Sequence, residues 1–315
     1  MTTRRASLVV VNYATMDWAL DLAGSARKVL DEVIVVDNAS YRGDRAALQE
    51  AHPGIRFVWR DGNDGYGAGA NAGAAVATGD VILVSNPDIS VAATGLRELA
   101  EAAGEGVAAP RFVDPAGRLI RSSHRREPAA LATLREYCGP FAALAERVRP
   151  GWHPTLRPAS EHAADHDTLH VLGALMAVDA GLFRRLGGFD EGFFLYREET
   201  DLCRRARAAG APVRHVAGVV AVHEGDASSP LDRTLVATRL PAVRSHYRYM
   251  AKHFGRGRAA VAWLVGLAGS AVWVLTGPDR RSAGQSVRSH LRLLRPTGTG
   301  GGRPRSRPAS PRPGP

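Results

Sequence analysis

The chain has 315 residues, 45% of them hydrophobic, and a formal net charge of +10. That length is enough to bury a substantial core without staples. Its two cysteines, Cys138 and Cys203, stand far apart without metal-ligand spacing, which argues against a disulfide framework and suits a reducing compartment. The charge is concentrated: from Pro278 to the end there are nine arginines and one acidic residue, Asp279, leaving about +2 for everything before. A nucleic-acid binder carries its basic stripe on the folded domain, interleaved with aromatics. This chain does not, and no nucleic-acid partner is expected.

The N-terminus, MTTRRASLVVVNY, lacks the apolar length and cleavage site of a signal peptide, and no secretion signal is read there. Ser7 to Asn12 is a β-branched run suited to a strand buried on both faces. A helix is expected from Thr15 to Val29, a second buried strand over Glu32 to Asp37, a helix around Asp44 to Ala51 and a strand over Ile55 to Trp59. The glycine-rich loop DGNDGYGAGANAG then runs into a small-residue helix reaching Thr78, and Val81 to Val84 forms a strand ending in SNPD. Strands alternating with helices imply a parallel sheet covered on both faces. Ligands of such sheets bind beyond the carboxyl ends of the strands. The loops at Asn12–Thr15, Asp37–Ser40, Asp61–Asn71 and Ser85–Asp88 share that edge.

From Arg111 to Asp167 the pattern is poor and a hairpin with a variable excursion is expected. Thr168 to Val178 reads as a strand, and Val213 to Val216 as another. Helical sequence spans Leu231 to Phe254, interrupted by Pro241. Ala259 to Gly277 carries no charge over nineteen residues, holds Trp263 and Trp273, and is bracketed by arginines. That length only just suffices to cross a bilayer. Its tryptophans and flanking arginines suit membrane association, and its glycines and alanines favour an interfacial or re-entrant helix over a full span. The competing reading is a buried core helix. From Thr297 onward the sequence is low-complexity and disorder is expected.

Between these elements lies the densest chemistry. Glu198, Glu199 and Asp201 follow directly on Phe193, Phe194, Leu195 and Tyr196. Carboxylates set against an apolar run are costly to desolvate, which raises their pKa toward that of a general base. The same residues also suit a helix N-terminus, where the macrodipole favours acids, and on these residues alone both readings stand. Gly65, Gly67 and Gly69 invite a dinucleotide-binding reading. That fingerprint follows the first strand of its unit and has an acidic residue about twenty positions on. Here the first strand ends in NYAT, the glycines follow the third, and no lysine-bearing P-loop is present. An oxidoreductase is not expected. A tight turn with close helix packing would explain the same glycines.

Asp88, at the carboxyl edge of the sheet, suits a hard divalent cation that would in turn hold a diphosphate; Asn86 offers a neutral oxygen or a hydrogen bond to a sugar. Asn-Pro-Asp is equally an ordinary turn. His223 follows an apolar strand, VVAV, and matters chemically only if the fold brings it near Asp88. His162, His166 and His170 recur every four residues, but the strand reading after Thr168 breaks a helical alignment. They are read as coincidence or as acceptor-loop surface.

The motifs form an ordered set: VVVNYAT (9–15), VVDNAS (35–40), GNDGYGAGANAG (62–73), VSNPD (84–88), GALMAVD (173–179), GGFDEGFFLYREETDLCRRARAAG (187–210), VHEGDASS (222–229) and AKHFGR (251–256). In this order, over most of residues 7 to 256, they resemble family 2 glycosyltransferases, most closely the bacterial rhamnosyltransferase-like branch. The resemblance implies an α/β GT-A fold with a mostly parallel central sheet and flanking helices. It divides the chain into a catalytic domain (1–230), C-terminal helices with a membrane-associating segment (231–277, apolar over 259–277) and a basic, largely disordered tail (278–315).

The resemblance also implies roles. Asn12, Tyr13 and Asp37 would bind base and ribose, with Asn38 nearby. Asn63, Gly65, Tyr66 and Asn71 would line the nucleotide and diphosphate pocket, and Asn86 the nucleotide-sugar. Asp88 would be the retained carboxylate of the metal motif, holding Mg²⁺ or Mn²⁺, with His223 as second ligand. Gly173 and Ala174 would shape the acceptor site. The family's acidic pair corresponds to Glu198 and Glu199, its second member being the base. Glutamate stands where aspartate is common, so the base is assigned among Glu199, Glu198 and Asp201. The implied activity is inverting transfer of a sugar, with rhamnose from dTDP-rhamnose as the best match, to a lipid-linked or cell-envelope glycan. It would take place in the cytoplasm, with the enzyme peripheral at the anionic inner face of the cell membrane. The rival reading is a catalytically weak nucleotide-sugar-binding partner of another transferase.

Overall fold

A computed structural model of the chain describes residues 4–125, 139–149, 158–225, 231–276 and 280–293. The first half alternates as its periodicity requires: β1 (Ala6–Asn12), α1 (Met16–Ala26), β2 (Glu32–Asp37), α2 (Arg45–Ala51), β3 (Arg56–Trp59), α3 (Tyr66–Val76) and β4 (Val81–Ser85). Local signals set the ends. Asp44 caps α2 by accepting from the amides of Ala46 at 2.9 Å and Ala47 at 3.1 Å.

Then come β5 (Ile89–Val91), α4 (Ala93–Ala103) and β6 (Val107–Val113), three elements for which the motifs carried no expectation. β7 (His124–Arg125), α5 (Gly139–Val148), a 3₁₀ turn (Ala159–Ala163) and β8 (His166–Asp167) make up the described part of the excursion. The rest of it, with Cys138, lies outside the described residues, as do 226–229 of the VHEGDASS block. The remaining elements are β9 (His170–Val171), β10 (Leu175–Asp179), α6 (Ala180–Arg185), α7 (Glu198–Ala208), β11 (Val213–His223), α8 (Leu231–Phe254), α9 (Arg256–Thr276) and α10 (Arg280–Arg292).

Among the described residues the strands join in the order β3-β2-β1-β4-β10-β6-β11-β5, with β8 beside β11. β3, β2, β1 and β4 run parallel, and β11 runs parallel to β6; β10 is antiparallel to both its neighbours. Successive side chains of a strand point to opposite faces, and the core divides accordingly. Leu8, Val10, Val33, Val35 and Leu83 pack against α1 and α4 through Leu22, Leu96 and Leu99. Val9, Val11, Ile34, Val36 and Val84 face α3, α6 and α7 through Ala70, Phe183 and Leu202. A side-chain carbon at Gly73 would stand 2.3 Å from Val9 Cγ1, so close helix packing is one true reason for the glycines of α3.

Five expectations are corrected. The strand expected over Thr168–Val178 breaks into β9 and β10, because the carbonyls of Gly173 and Ala174 turn aside to accept from Tyr66 Oη at 2.8 Å and Asn86 N at 2.8 Å. The strand near Val213 and the apolar VVAV run are one strand, β11, whose register shifts between Val216 and Val220. Pro241 lies within α8 instead of interrupting it. The basic tail is not irregular from its start: Arg280–Arg292 is helical, while 294–315 lie outside the described residues. His162 and His170 are buried, not acceptor-loop surface. Burial, with the charges of His215 and His166, pushes His162 down to about 4.

Candidate active site

The rim of the parallel half is built around a buried amide–carboxylate pair. Asn12 and Asp37 end adjacent strands in register. Asn12 Nδ2 donates to Asp37 Oδ1 at 2.7 Å. Asp37 Oδ2 accepts from the amides of Ser40 at 2.9 Å and Tyr41 at 3.0 Å, and the Ser40 hydroxyl donates to Oδ1. Asn12 Oδ1 accepts from Thr15 N at 3.1 Å, and this fixes the turn holding Tyr13. Asn12 and Asp37 therefore shape two loops more than they present free groups. Asn38 Nδ2 reaches Gly65 O at 3.2 Å, while its Oδ1 accepts from Arg60 Nη1 at 3.0 Å. Arg60 is a cation on this rim that the motifs did not single out.

The glycine loop meets the acidic stretch directly. Asn63 Oδ1 accepts from Gly65 N at 3.0 Å. Gly65 has φ 106°, and a side-chain carbon there would stand 2.1 Å from Phe194 O. Only glycine tolerates both conditions. Tyr66 N donates to Phe194 O at 3.0 Å, so α3 begins on the backbone of the aromatic run. Asn71 is spent on the same junction: its Nδ2 bonds Phe189 O and Glu191 Oε1, each at 2.9 Å, and its Oδ1 accepts from Phe189 N. The structure thus uses Asn71 to clamp the Gly188–Glu191 turn onto α3.

α7 starts from two consecutive left-handed residues, Tyr196 at φ 67° and Arg197 at φ 72°. Such backbone costs about 1–3 kcal/mol per residue and persists where its surroundings over-determine it. Here it delivers Glu198, Glu199 and Asp201 into the first turn of a helix. The three carboxylates then diverge. Asp201 is fully buried and accepts from Arg205 Nε at 2.7 Å, Lys252 Nζ at 2.6 Å and His253 Nε2 at 2.7 Å. Burial alone would raise its pKa, but the bonds from Lys252, Arg205 and His253 hold it below the usual carboxylate value. Glu198 is buried with Oε2 lacking any hydrogen-bond partner. Burial, then the neighbouring Glu199 charge, pushes its pKa well up. Glu199 is half-buried and packs its Cβ where a side chain at Gly173 would stand, 2.9 Å away.

Around Glu199 the expected groups converge. The Tyr66 hydroxyl donates to Gly173 O, beside Ala174. Burial and the charges of Glu198, Glu199 and Asp88 push its pKa well up, so it stays a protonated donor. Asn86 is tied by its amide to Ala174 O at 2.8 Å. His223 Nε2 lies 3.5 Å from Asp88 Oδ2, so the condition set for that histidine is met. The pairing follows from β11 lying beside β5, with His223 opposite Ile89. Among the described residues no three His, Cys, Asp or Glu side chains gather into a self-sufficient metal site. Asp88 and His223 offer two ligands, so a bound ion would need others from a substrate or solvent.

Lys252 and Arg248 were not singled out. Lys252 bridges Asp201 and Asp190, the latter at 2.7 Å, and Arg248 bonds Asp190 at 2.8 Å. Burial would raise Asp190, but Lys252, the Gly192 amide and Arg248 bring it down to about 2. Both cations also stand over the Phe193 ring. For Lys252 the signal was present as the AKHFGR motif, without a role attached; Arg248 lies just before it.

A doubly covered α/β sheet, a glycine loop facing an acidic helix N-terminus and a carboxylate–histidine pair at the strand edge define a GT-A glycosyltransferase. Residues 7–148 match the sequence profile of Glycosyl transferase family 2. Those residues are similar to a family 2 glycosyltransferase domain, and the chain is a glycosyltransferase. It is 28% identical over 235 residues to the low-salt glycan biosynthesis hexosyltransferase Agl10 of Haloferax volcanii, an alignment covering 72% of this chain and 68% of that protein. It is 27% identical over 248 residues to the N-acetylglucosaminyl-diphospho-decaprenol L-rhamnosyltransferase of Mycobacterium tuberculosis, covering 73% and 78%. Among solved structures, the mannosyltransferase of Pyrobaculum calidifontis in complex with GDP-Man and Mn²⁺ superposes with TM-score 0.54 at 18% identity, over 93% of this chain and 88% of that one. GalNAc-T7 with UDP, GalNAc and Mn²⁺ gives TM-score 0.55 at 14% identity, over 79% of this chain and 48% of that one, so this chain spans about half its length. These two likenesses establish the shared fold.

Proposed function

We propose that the protein transfers a sugar, with inversion, from a nucleoside-diphosphate sugar to a lipid-linked glycan, with Glu199 as the base. The observation that carries this reading is the placement of Glu199. It alone of the three carboxylates has neither a cation on it nor full burial, and it packs on Gly173 in the cluster holding Tyr66 and Asp88. Asp201 is committed to Lys252, Arg205 and His253. Glu198 is buried, and burial with the Glu199 charge pushes its pKa well up, which favours its protonated form.

The acceptor hydroxyl oxygen forms a bond to the anomeric carbon from the face opposite the diphosphate. The bond from that carbon to the diphosphate oxygen breaks, and its electron pair leaves with the nucleotide. The hydroxyl proton passes to the Glu199 carboxylate. Asn12 and Asp37 hold the loops that would receive base and ribose, and Asn38, Asn63, Gly65 and Tyr66 set the path along the diphosphate. Asn71 acts from behind, by holding the loop. Mg²⁺ or Mn²⁺ fits the hard carboxylate of Asp88 with His223 beside it, and when bound supplies positive charge against the leaving diphosphate. Gly173, by lacking a side chain, lets Glu199 pack against it, with Ala174 alongside, where an acceptor would meet the base. dTDP-rhamnose as donor and a polyprenyl-diphosphate-linked acceptor rest on the names of the relatives.

A thermal-shift screen of nucleotide-sugars with Mn²⁺, followed by donor-turnover assays, tests the reading, since a ligand binding only the native state raises its stability. The expected result is one stabilising donor that is also turned over. Glu199→Gln and Asp88→Ala each lower turnover at least about a hundredfold with the melting temperature kept. Wild-type-like turnover in Glu199→Gln would move the base elsewhere. Binding with no turnover across the panel would favour the nucleotide-sugar-binding partner, a reading that the longer glutamate at 199 keeps specific.

A further inference from the structure

The C-terminal helices present a surface that the catalytic reading does not use. α9 is apolar enough and long enough to cross a bilayer, with mean hydropathy 1.6 over Arg256–Leu275, yet only 28% of that stretch is buried in the protein. It is therefore not a core helix. Its two sides differ. The inner side packs Ala259 and Ala262 against Val243, Tyr247 and Met250 of α8. It is also pinned by polar bonds: Trp263 Nε1 donates to His290 O at 3.1 Å, and the Ser270 and Ser286 hydroxyls lie 2.8 Å apart. The outer side carries Val261, Leu264, Val272 and Leu275, 45% to 75% exposed, at spacings that keep them on one stripe.

A spanning helix would have to leave α8 and α10, breaking those bonds in hydrocarbon, where no water replaces them. α8 in turn is held to the catalytic domain through Ser245 on Leu195 O and Lys252 on Asp201. The apolar stripe is bordered by cations. Arg256 and Arg258 are exposed at the start of α9, and Arg288 and Arg292 are exposed on α10 beside the exposed Leu291. Residues 256–276 and 280–293 contain no aspartate or glutamate. α5, packed against α9, adds exposed Leu144 and Val148 next to Arg147 and Arg149.

We propose that this face docks the protein on an anionic bilayer, with α9 lying in the plane of the headgroup–acyl boundary and not crossing it. The chemistry selects that occupant. An apolar stripe rimmed by arginines fits acyl chains beneath anionic headgroups. A second copy of the chain would bring the same unpaired cations face to face. The inference goes beyond sugar transfer and holds whichever sugar is moved.

Flotation of the full-length protein tests it, with vesicles of phosphatidylcholine alone and of phosphatidylcholine with phosphatidylglycerol. Binding is expected on the anionic vesicles and weakened by salt. Arg288→Glu with Arg292→Glu should lower it by at least about fivefold per residue, as expected for a basic side chain at a charged surface. Leu264→Glu with Val272→Glu should lower it more than tenfold on the order of a lost apolar anchor. Unchanged melting temperatures and unchanged donor turnover without vesicles would show that these variants are folded. No binding to anionic vesicles by the wild-type protein, or binding untouched by the glutamates, overturns the proposal. So does a dimer that the glutamates make monomeric while vesicle binding stays. Retention in cell membranes through alkaline carbonate extraction would show a span and overturn the in-plane placement. Absent donor turnover in the wild-type protein would sink the catalytic reading and leave this one standing.

Discussion

The two sides of the site are held by different physics. On the parallel-sheet side, polar groups are satisfied by partners close along the chain: Asn12 reaches Asp37, 25 residues away, and Asp37 turns back on Ser40 and Tyr41. These are mostly neutral amides and one carboxylate gathered at two adjacent strand ends. On the acidic side the partners come from far away. Tyr66 bonds Gly173 across 107 residues, Asn71 bonds Phe189 across 118, and His253 bonds Asp201 across 52. That side depends on full charges in the interior, where an unpaired ion costs far more than an unpaired amide. The parallel-sheet side is therefore locally encoded and tolerant, while the acidic side is globally encoded and fragile.

The sharpest way to break this contrast is at Asp201. Asp201→Ala leaves Arg205, Lys252 and His253 facing an empty buried site, and a loss of about 3–5 kcal/mol is expected. Chemical denaturation measures it. A loss below about 1 kcal/mol would mean that the cluster is a surface network in effect. Asp37→Ala comes next, at about 1–3 kcal/mol, because it strips acceptors from Asn12 and two amides that lie near solvent. It should weaken nucleotide-sugar binding more than it lowers stability. Equal destabilisation by the two variants would erase the distinction between the sides.

The same contrast explains what was legible in the sequence. The loops at Asn12, Asp37, Gly65 and Asp88 follow β-branched runs whose pattern needs no partner to be read, and they share the expected sheet edge. The pairing of His223 with Asp88 was conditional on the fold, because it depends on β5 standing beside β11. α4 carries Leu96, Leu99, Ala100 and Ala103 at helical spacing, so a signal existed there, but no motif drew attention to it. The division of labour among Glu198, Glu199 and Asp201 had no local signature. It is decided by Lys252 and His253 arriving from α8, and nothing in the spacing of residues 198–201 announces them. Asn71 illustrates the converse: its place in the glycine motif suggested a pocket residue, and its three bonds to residues 189 and 191 give it a clamping role that the motif did not announce.

pH separates two of the carboxylates further, with smaller effects of opposite sign. Asp190 has a folded pKa of about 2, below its unfolded value, so its contribution is present above the ordinary carboxylate range near 4 and is lost as pH falls toward about 2. Asp190→Asn should flatten the acid limb of a stability–pH curve. Glu198 is shifted the other way by burial and by Glu199. Between its unfolded and folded pKa values the native state holds the extra proton, so stability falls as pH rises through that window. Glu198→Gln keeps the shape of the neutral acid and removes the titration. The variant should therefore gain stability relative to wild type as pH rises above about 4. Melting temperatures taken across that range decide it: parallel curves for wild type and Glu198→Gln would mean that Glu198 is ionised in the native protein, and the base would then have to be chosen again between two charged neighbours.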